Sequence, residues 1–196
     1  MPINQFKDYA QTKAYTDFQT LPKGGYVMQI KGATVKNNSV GQYVEIFADV
    51  AEGEYANYFT KDYESQKQGE DRKWRCRFFL NVPKDDGSEK DGWTKRHFKT
   101  FTEALEESNP GYHFDWDESR FKGLLIGGLF NIRQYEKNDG SIGESTNFAQ
   151  VTTVDKIRSG DFRLPKDKLF VTSGSGAISS DGFMKIPEGV DEELPF

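Results

Sequence analysis

Residues 42–50 read QYVEIFADV and residues 73–82 read KWRCRFFLNV, and these two stretches decide the predicted fold. Side chains in both alternate with a period of two, which is typical of a β-strand that buries one face and wets the other. The sets predicted to face the core are Val44, Ile46, Ala48 and Val50, and Trp74, Cys76, Phe78, Leu80 and Val82. The sets predicted to face solvent are Tyr43, Glu45, Phe47 and Asp49, and Lys73, Arg75, Arg77, Phe79 and Asn81.

The remaining patterns place these two strands in an ordered series. The predicted order is strands at 26–35, 42–50 and 73–82, a helix at 94–107, and strands at 121–135 and about 146–157. Residues 54–63 fit a helix, a strand extension or a lid, and the sequence leaves the three open. Three strands, a helix and two strands predict a mainly β chain with an OB-fold, a five-stranded partly open barrel whose helix lies between strands 3 and 4.

The charge of the chain is unevenly distributed. The net charge is −5 over 196 residues, but residues 171–196 hold five acids and one base, so residues 1–170 carry only −1. Residues 72–101 hold nine bases and four acids, with six Trp and Phe residues between them. Cationic side chains that track phosphates and aromatic rings that stack on bases are the two requirements of single-strand binding.

The predicted binding residues lie on the second and third strands. We expect Tyr43, Phe47 and Phe79 to stack on bases, and Lys73, Arg75 and Arg77 to neutralise phosphates. Trp74 is included as well, although the alternation puts it on the core face. If the two strands are neighbours, these side chains form one aromatic and basic surface, as expected where strands 2 and 3 of an OB-fold bind oligonucleotides.

Catalytic motifs are scarce in this sequence. It contains two histidines, one cysteine and no phosphate-cradling GxxxxGK[ST] run, so no enzyme activity, cofactor or metal is predicted. Cys76 fits a core thiol because it alternates with Trp74 and Phe78. One alternative stays open, in which Asp115 and Asp117 hold a divalent ion for a nuclease.

The C-terminal residues have a separate character. Residues 171–190 are rich in Gly and Ser and predict a flexible linker, and residues 191–196 read DEELPF. This hexapeptide resembles the C-terminal tip of bacterial single-stranded DNA-binding proteins, in which acids precede an apolar residue, Pro and a final Phe. The resemblance implies that the tip docks replication, recombination and repair enzymes. The residues concerned are Asp191, Glu192, Glu193, Leu194, Pro195 and Phe196.

The body carries a second resemblance. The segments LPKGGY (21–26), DVAEGE (49–54) and ESNPGY (107–112) are similar to a family of phage-encoded proteins from replication clusters. The resulting hypothesis is a phage or bacterial protein that coats single-stranded DNA during replication or recombination, with an N-terminal extension (1–20), a binding domain (21–170), a linker (171–190) and a docking tip (191–196). A homo-oligomer is expected by resemblance alone, and a protein-interaction adaptor is the other alternative.

The expected location follows from the N-terminus and the lone cysteine. The first residues, MPINQFKDYAQTKAY, have neither a basic start nor an apolar stretch, and no apolar run is long enough to cross a bilayer. A single cysteine cannot form an internal disulfide, which suits a reducing compartment. We therefore expect no membrane association and a location in the cytoplasm of a bacterial host cell.

Overall fold

A computed structural model describes residues 20–66, 69 and 72–170, together with residues 7, 9 and 10. The predicted linker at 171–190 and tip at 191–196 lie outside the described residues, as does most of the predicted N-terminal extension. The elements are β1 (Gly24–Asn37), β2 (Gln42–Val50), α1 (Tyr58–Ser65), β3 (Arg77–Asn81), α2 (Glu89–Ser108), a 3-10 helix (Glu118–Phe121), β4 (Leu125–Glu136), β5 (Ile142–Thr152) and α3 (Val154–Ser159).

The five strands form one antiparallel sheet in the order β3-β2-β1-β4-β5. The sheet is curved but not fully closed, because among the described residues its two edge strands, β3 and β5, do not pair with each other. The long helix α2 lies between strands 3 and 4 in the chain. The predicted OB-fold is therefore confirmed. Within the described part of the chain, no helix is both long and apolar enough to cross a membrane.

The core fills the inside of the curved sheet and is closed at one end by α2. The inward-facing set of β2, which is Val44, Ile46, Ala48 and Val50, is buried as predicted. The apolar stripe of α2 packs against it through Phe98, Phe101, Ala104 and Leu105, also as predicted. Period-two spacing in β2 and helical spacing in α2 predict these core residues, because each spacing places the apolar side chains on one face, and that face is buried away from water.

Helix α2 begins five residues before the predicted start at 94. Ser88 caps it, since its hydroxyl accepts the N–H of Asp91 at 3.1 Å. Glu89 and Asp91 put negative charge in the first turn, where the helix dipole favours it. The prediction depended on the apolar stripe alone. Capping extends the helix beyond that stripe, so the predicted start is too late.

The last strand also differs from its prediction at both ends. It begins at Ile142, directly after the turn at 138–140, and it ends at Thr152 rather than near 157. Thr153 caps α3 by accepting the N–H of Lys156 at 3.5 Å, and Gly160 ends the helix with a φ of 73°. A six-residue helix is too short to show a clear period in the sequence.

The open question over residues 54–63 is resolved as a turn followed by α1. Asp49, at the end of β2, holds the start of this helix although Asn57 makes no side-chain cap. Its carboxylate accepts the N–H groups of Phe59 at 2.8 Å and Thr60 at 3.0 Å. The wet face predicted for β2 is therefore wrong at Asp49, which is 0 % exposed because α1 covers it.

Candidate nucleic-acid interface

Strands β2 and β3 are neighbours, as the predicted binding surface requires. The register pairs Glu45 with Phe79 and Phe47 with Arg77, and side chains opposite each other in a ladder share a face. Tyr43 lies on the same face two residues from Glu45. We call this surface the aromatic face, and its members are Lys36, Tyr43, Glu45, Phe47, Arg77 and Phe79.

The three rings of the aromatic face are half-buried, and two of them are in contact. Tyr43 and Phe79 meet edge to face with ring centroids 5.7 Å apart. The guanidinium of Arg77 lies 5.8 Å from the centre of the Phe79 ring. Such contacts hold the rings in fixed orientations while part of each remains open to solvent.

A buried carboxylate lies at the centre of the aromatic face. Glu45 is only 4 % exposed, and its two oxygens face Lys36 at 2.5 Å and Arg77 at 3.5 Å. The hydrogen bond to Glu45 raises the pKa of Lys36. The cluster of two cations and one anion carries a net charge of +1 and fixes the positions of both cations beside the rings.

Lys36 is a site residue that the sequence prediction missed. It lies on β1 directly opposite Tyr43, because the turn at residues 38–41 sets the register of the β1–β2 hairpin. Reading this register from the turn could have placed Lys36 on the face. The same register puts Gly32 opposite Phe47, and a Cβ added at Gly32 would have no heavy atom within 4 Å. Gly32 thus leaves open space beside the Phe47 ring.

Three predicted site residues, Lys73, Trp74 and Arg75, are not on a strand, so the prediction of a strand from residue 73 is wrong. The Gln66 side chain hydrogen-bonds both the N–H and the C=O of Lys73, at 2.9 Å each. The backbone groups that a strand would pair are therefore taken by a side chain. Lys73 itself is exposed beside this loop.

Trp74 and Arg75 both face α1 and the end of β2 rather than the aromatic face. The indole N–H of Trp74 donates to the carbonyl of Ala48 at 2.9 Å, and its ring packs partly buried against Tyr63. Arg75 forms an ion pair with the buried carboxylate of Asp62 at 3.1 Å. Trp74 is thus held in a structural contact, whereas Arg75 remains largely exposed.

The local excess of positive charge at 72–101 is partly neutralised. Arg75, Arg77, Lys95 and Lys99 each form an ion pair with a carboxylate. Among the described residues, no carboxylate lies within 4.0 Å of the charged groups of the following cations: Lys73, Lys84, Lys90 and Arg96. All four are exposed and have charge to offer a phosphate. Arg72 also lacks a carboxylate partner among the described residues, but its guanidinium donates to the carbonyl of Tyr63 at 2.6 Å.

The residues of the nuclease alternative are engaged in local contacts. Asp115 pairs with Arg120, and Asp117 accepts the N–H and hydroxyl of Ser119 at 3.0 and 2.6 Å, which lowers the pKa of Asp117. In the part of the chain that the structure describes, no three His, Cys, Asp or Glu side chains are grouped to hold a metal ion. Cys76 is buried as predicted, and burial together with the nearby Asp49 charge raises the pKa of its thiol.

The comparisons with known proteins leave the family open. No protein-family model matches the chain, and no curated protein sequence matches it significantly. The geometry of the site therefore carries the functional argument.

Proposed function

We propose that the protein binds single-stranded DNA without enzymatic chemistry, through the aromatic face of its OB-fold. The observation that carries this proposal is the grouping of Tyr43, Phe47 and Phe79 on the outer surface of β2 and β3. Large rings left half-exposed on a sheet surface are costly in water and are typical of a binding surface. This is also the part of an OB-fold on which oligonucleotides are bound.

The charges beside the rings support the same function. Within the aromatic face, Lys36 and Arg77 lie beside the rings, and the exposed Lys84 and Lys90 lie beyond the far end of β3. These cations would contact phosphates while the rings stack on bases, which gives binding that tolerates any sequence and weakens as salt rises. The proposed role is to coat and protect single strands during phage or bacterial DNA replication or recombination, in the cytoplasm of the host cell.

A titration of the full-length protein with fluorescent oligo-dT tests this proposal. We expect saturable binding whose log affinity falls linearly with log salt concentration, since phosphate contacts release counterions. The same titration is repeated with Mg²⁺ and followed by gel electrophoresis. No binding even in dilute buffer would support the adaptor alternative and contradict the proposal, and degradation of the probe with Mg²⁺ would support the nuclease.

A variant truncated after Val190 separates the body from the tip. The removed residues hold three carboxylates and would compete with DNA for the cations, so we expect an oligo-dT affinity equal to or higher than that of the intact chain. Binding to purified replication or recombination enzymes of the host should be lost. Phe196→Ala is the matched control, because it keeps the acids and removes only the terminal ring. A large loss of DNA affinity on truncation would contradict the proposal that the body binds DNA and the tip binds partner enzymes.

A further inference from the structure

A groove lies between the two edge strands of the sheet, β3 and β5, next to the aromatic face. It is lined by residues 78–81 of β3, residues 148–151 of β5 and one side of α2, and its volume is about 470 Å³. Within the described residues, β3 pairs only with β2 and β5 only with β4. The groove is therefore the place where the barrel stays open, and its size is that of a small-ligand pocket.

The mouth of the groove carries an aromatic pair from α2. Trp93 is 42 % exposed although it is among the largest apolar side chains of the protein, and its ring centroid lies 3.8 Å from that of His97. Burial and the neighbouring Arg96 lower the pKa of His97, which favours the neutral imidazole. The two rings, one turn apart on the helix, line the groove with flat surfaces that can stack.

The floor of the groove is formed by packed aromatic rings. Phe78 from β3 and Phe148 from β5 stack face to face with centroids 4.1 Å apart and ring planes 8° from parallel. Phe101 packs beneath Phe78 with centroids 6.3 Å apart. A flat apolar ligand that entered the groove would therefore rest on rings from both strand edges and be shielded from water on one side.

The polar groups of the groove suit a nucleotide rather than a cationic ligand. None of the described residues that line it is acidic, and Arg96 is at its rim with no carboxylate within ion-pair distance in the described chain. Asn81 and Gln150 provide donors and acceptors on opposite sides. Amide side chains such as these can hydrogen-bond the edges of a base, and the guanidinium can hold a phosphate.

The groove is continuous with the aromatic face. Phe79 belongs to both, since its ring meets Tyr43 on the outer surface and its residue also lines the groove. Asn81 likewise lies at the end of the ladder opposite Tyr43 and lines the groove. A DNA strand bound across β2 and β3 would therefore reach the groove where it passes the edge of β3.

We propose that this groove is a second base-binding site, in which an unstacked nucleobase of the DNA strand lies against Trp93 and His97 while Arg96 contacts its phosphate. The proposal rests on the proposed single-stranded DNA binding and extends the path of the strand from the aromatic face past β3 to α2. A peptide strand that pairs with the edges of β3 and β5 is the competing occupant. A nucleotide is favoured by the exposed ring pair and by Arg96, which has no carboxylate partner among the described residues.

Trp93→Ala tests the second site by fluorescence anisotropy with oligo-dT at fixed salt. Because one stacked base is lost, we expect affinity to fall roughly ten- to a hundredfold, while Trp93→Phe retains most of it. Trp116→Ala is the matched control, since Trp116 is 76 % exposed and lines neither the groove nor the aromatic face. We expect it to change affinity by less than about twofold.

Photo-crosslinking of the unaltered protein gives a readout that does not depend on how the variants fold. An oligomer containing 5-iododeoxyuridine should crosslink to the tryptic peptide 91–95, which holds Trp93. If the wild type binds oligo-dT but Trp93→Ala binds equally well and no crosslink forms at 91–95, the second site is wrong and the proposed function stands. If the wild type does not bind at all, both proposals fail.

Discussion

Replacing Tyr43 and Phe79 together with alanine should weaken oligo-dT binding on the order of 100-fold. Each ring that stacks on a base contributes about 1 to 3 kcal/mol, and the two contributions need not add fully because the rings are in contact. Both rings are half-buried on the outer surface, so their loss removes binding area without opening the core. Anisotropy titrations over a range of salt concentrations measure the effect.

The salt dependence of this variant identifies the cause of the loss. The substitutions remove no charge, so the slope of log affinity against log salt should equal that of the wild type. Tyr135→Ala is the matched control, because Tyr135 is an exposed aromatic residue on β4 that belongs to neither proposed surface. A double variant that is folded by circular dichroism and binds as tightly as the control would refute the role of the aromatic face.

The cations expected to neutralise phosphates need a different kind of experiment. Charge reversal at Arg75 or Arg77 would place a new carboxylate beside the buried Asp62 or Glu45. A buried carboxylate without its cation is strongly destabilising, so a loss of DNA affinity in such a variant would combine folding with binding. Glutamine at Lys84 and Lys90 avoids this problem, because neither amine has a carboxylate partner among the described residues.

Much of the fold follows from side-chain alternation and spacing. The bounds predicted for the second strand, 42–50, are those of β2, because its inward side chains are all apolar and a turn precedes it. The order of strands and the place of α2 are also predictable, since each element carries its own period. For the same reason the sequence brings Tyr43, Phe47, Arg77 and Phe79 to one face.

The elements that the sequence does not reveal depend on contacts between distant residues. The side chain of Gln66 hydrogen-bonds both backbone groups of Lys73, which lies seven positions later in the chain. Lys73 therefore does not join a strand, although it fits the alternating pattern. Asp49 looks like a solvent-facing strand residue until α1 folds onto it. The groove at Trp93 exists only because β3 and β5 fail to pair when the sheet curves, and no local pattern records which edges meet.

Asp49→Ala should lower the stability of the protein by about 3 kcal/mol, the largest effect that we expect from a single substitution on folding. The Asp49 carboxylate accepts four hydrogen bonds, from the N–H groups of Val50, Phe59 and Thr60 and from the Thr60 hydroxyl. Alanine leaves these donors without their acceptor beside a position that is 0 % exposed. Since three of the four donors lie in the first turn of α1, the helix should separate from β2.

Thermal unfolding followed by circular dichroism measures this effect, and a loss of about 3 kcal/mol corresponds to a melting temperature lower by roughly 6 to 12 °C for a domain of this size. Asp49→Asn should fall between the wild type and Asp49→Ala, because the amide keeps one acceptor oxygen and turns the other into a donor. Asp161→Ala is the matched control, since Asp161 is exposed and makes no side-chain hydrogen bond within the described chain. An Asp49→Ala variant that melts with this control would show that α1 is held by its apolar contacts alone.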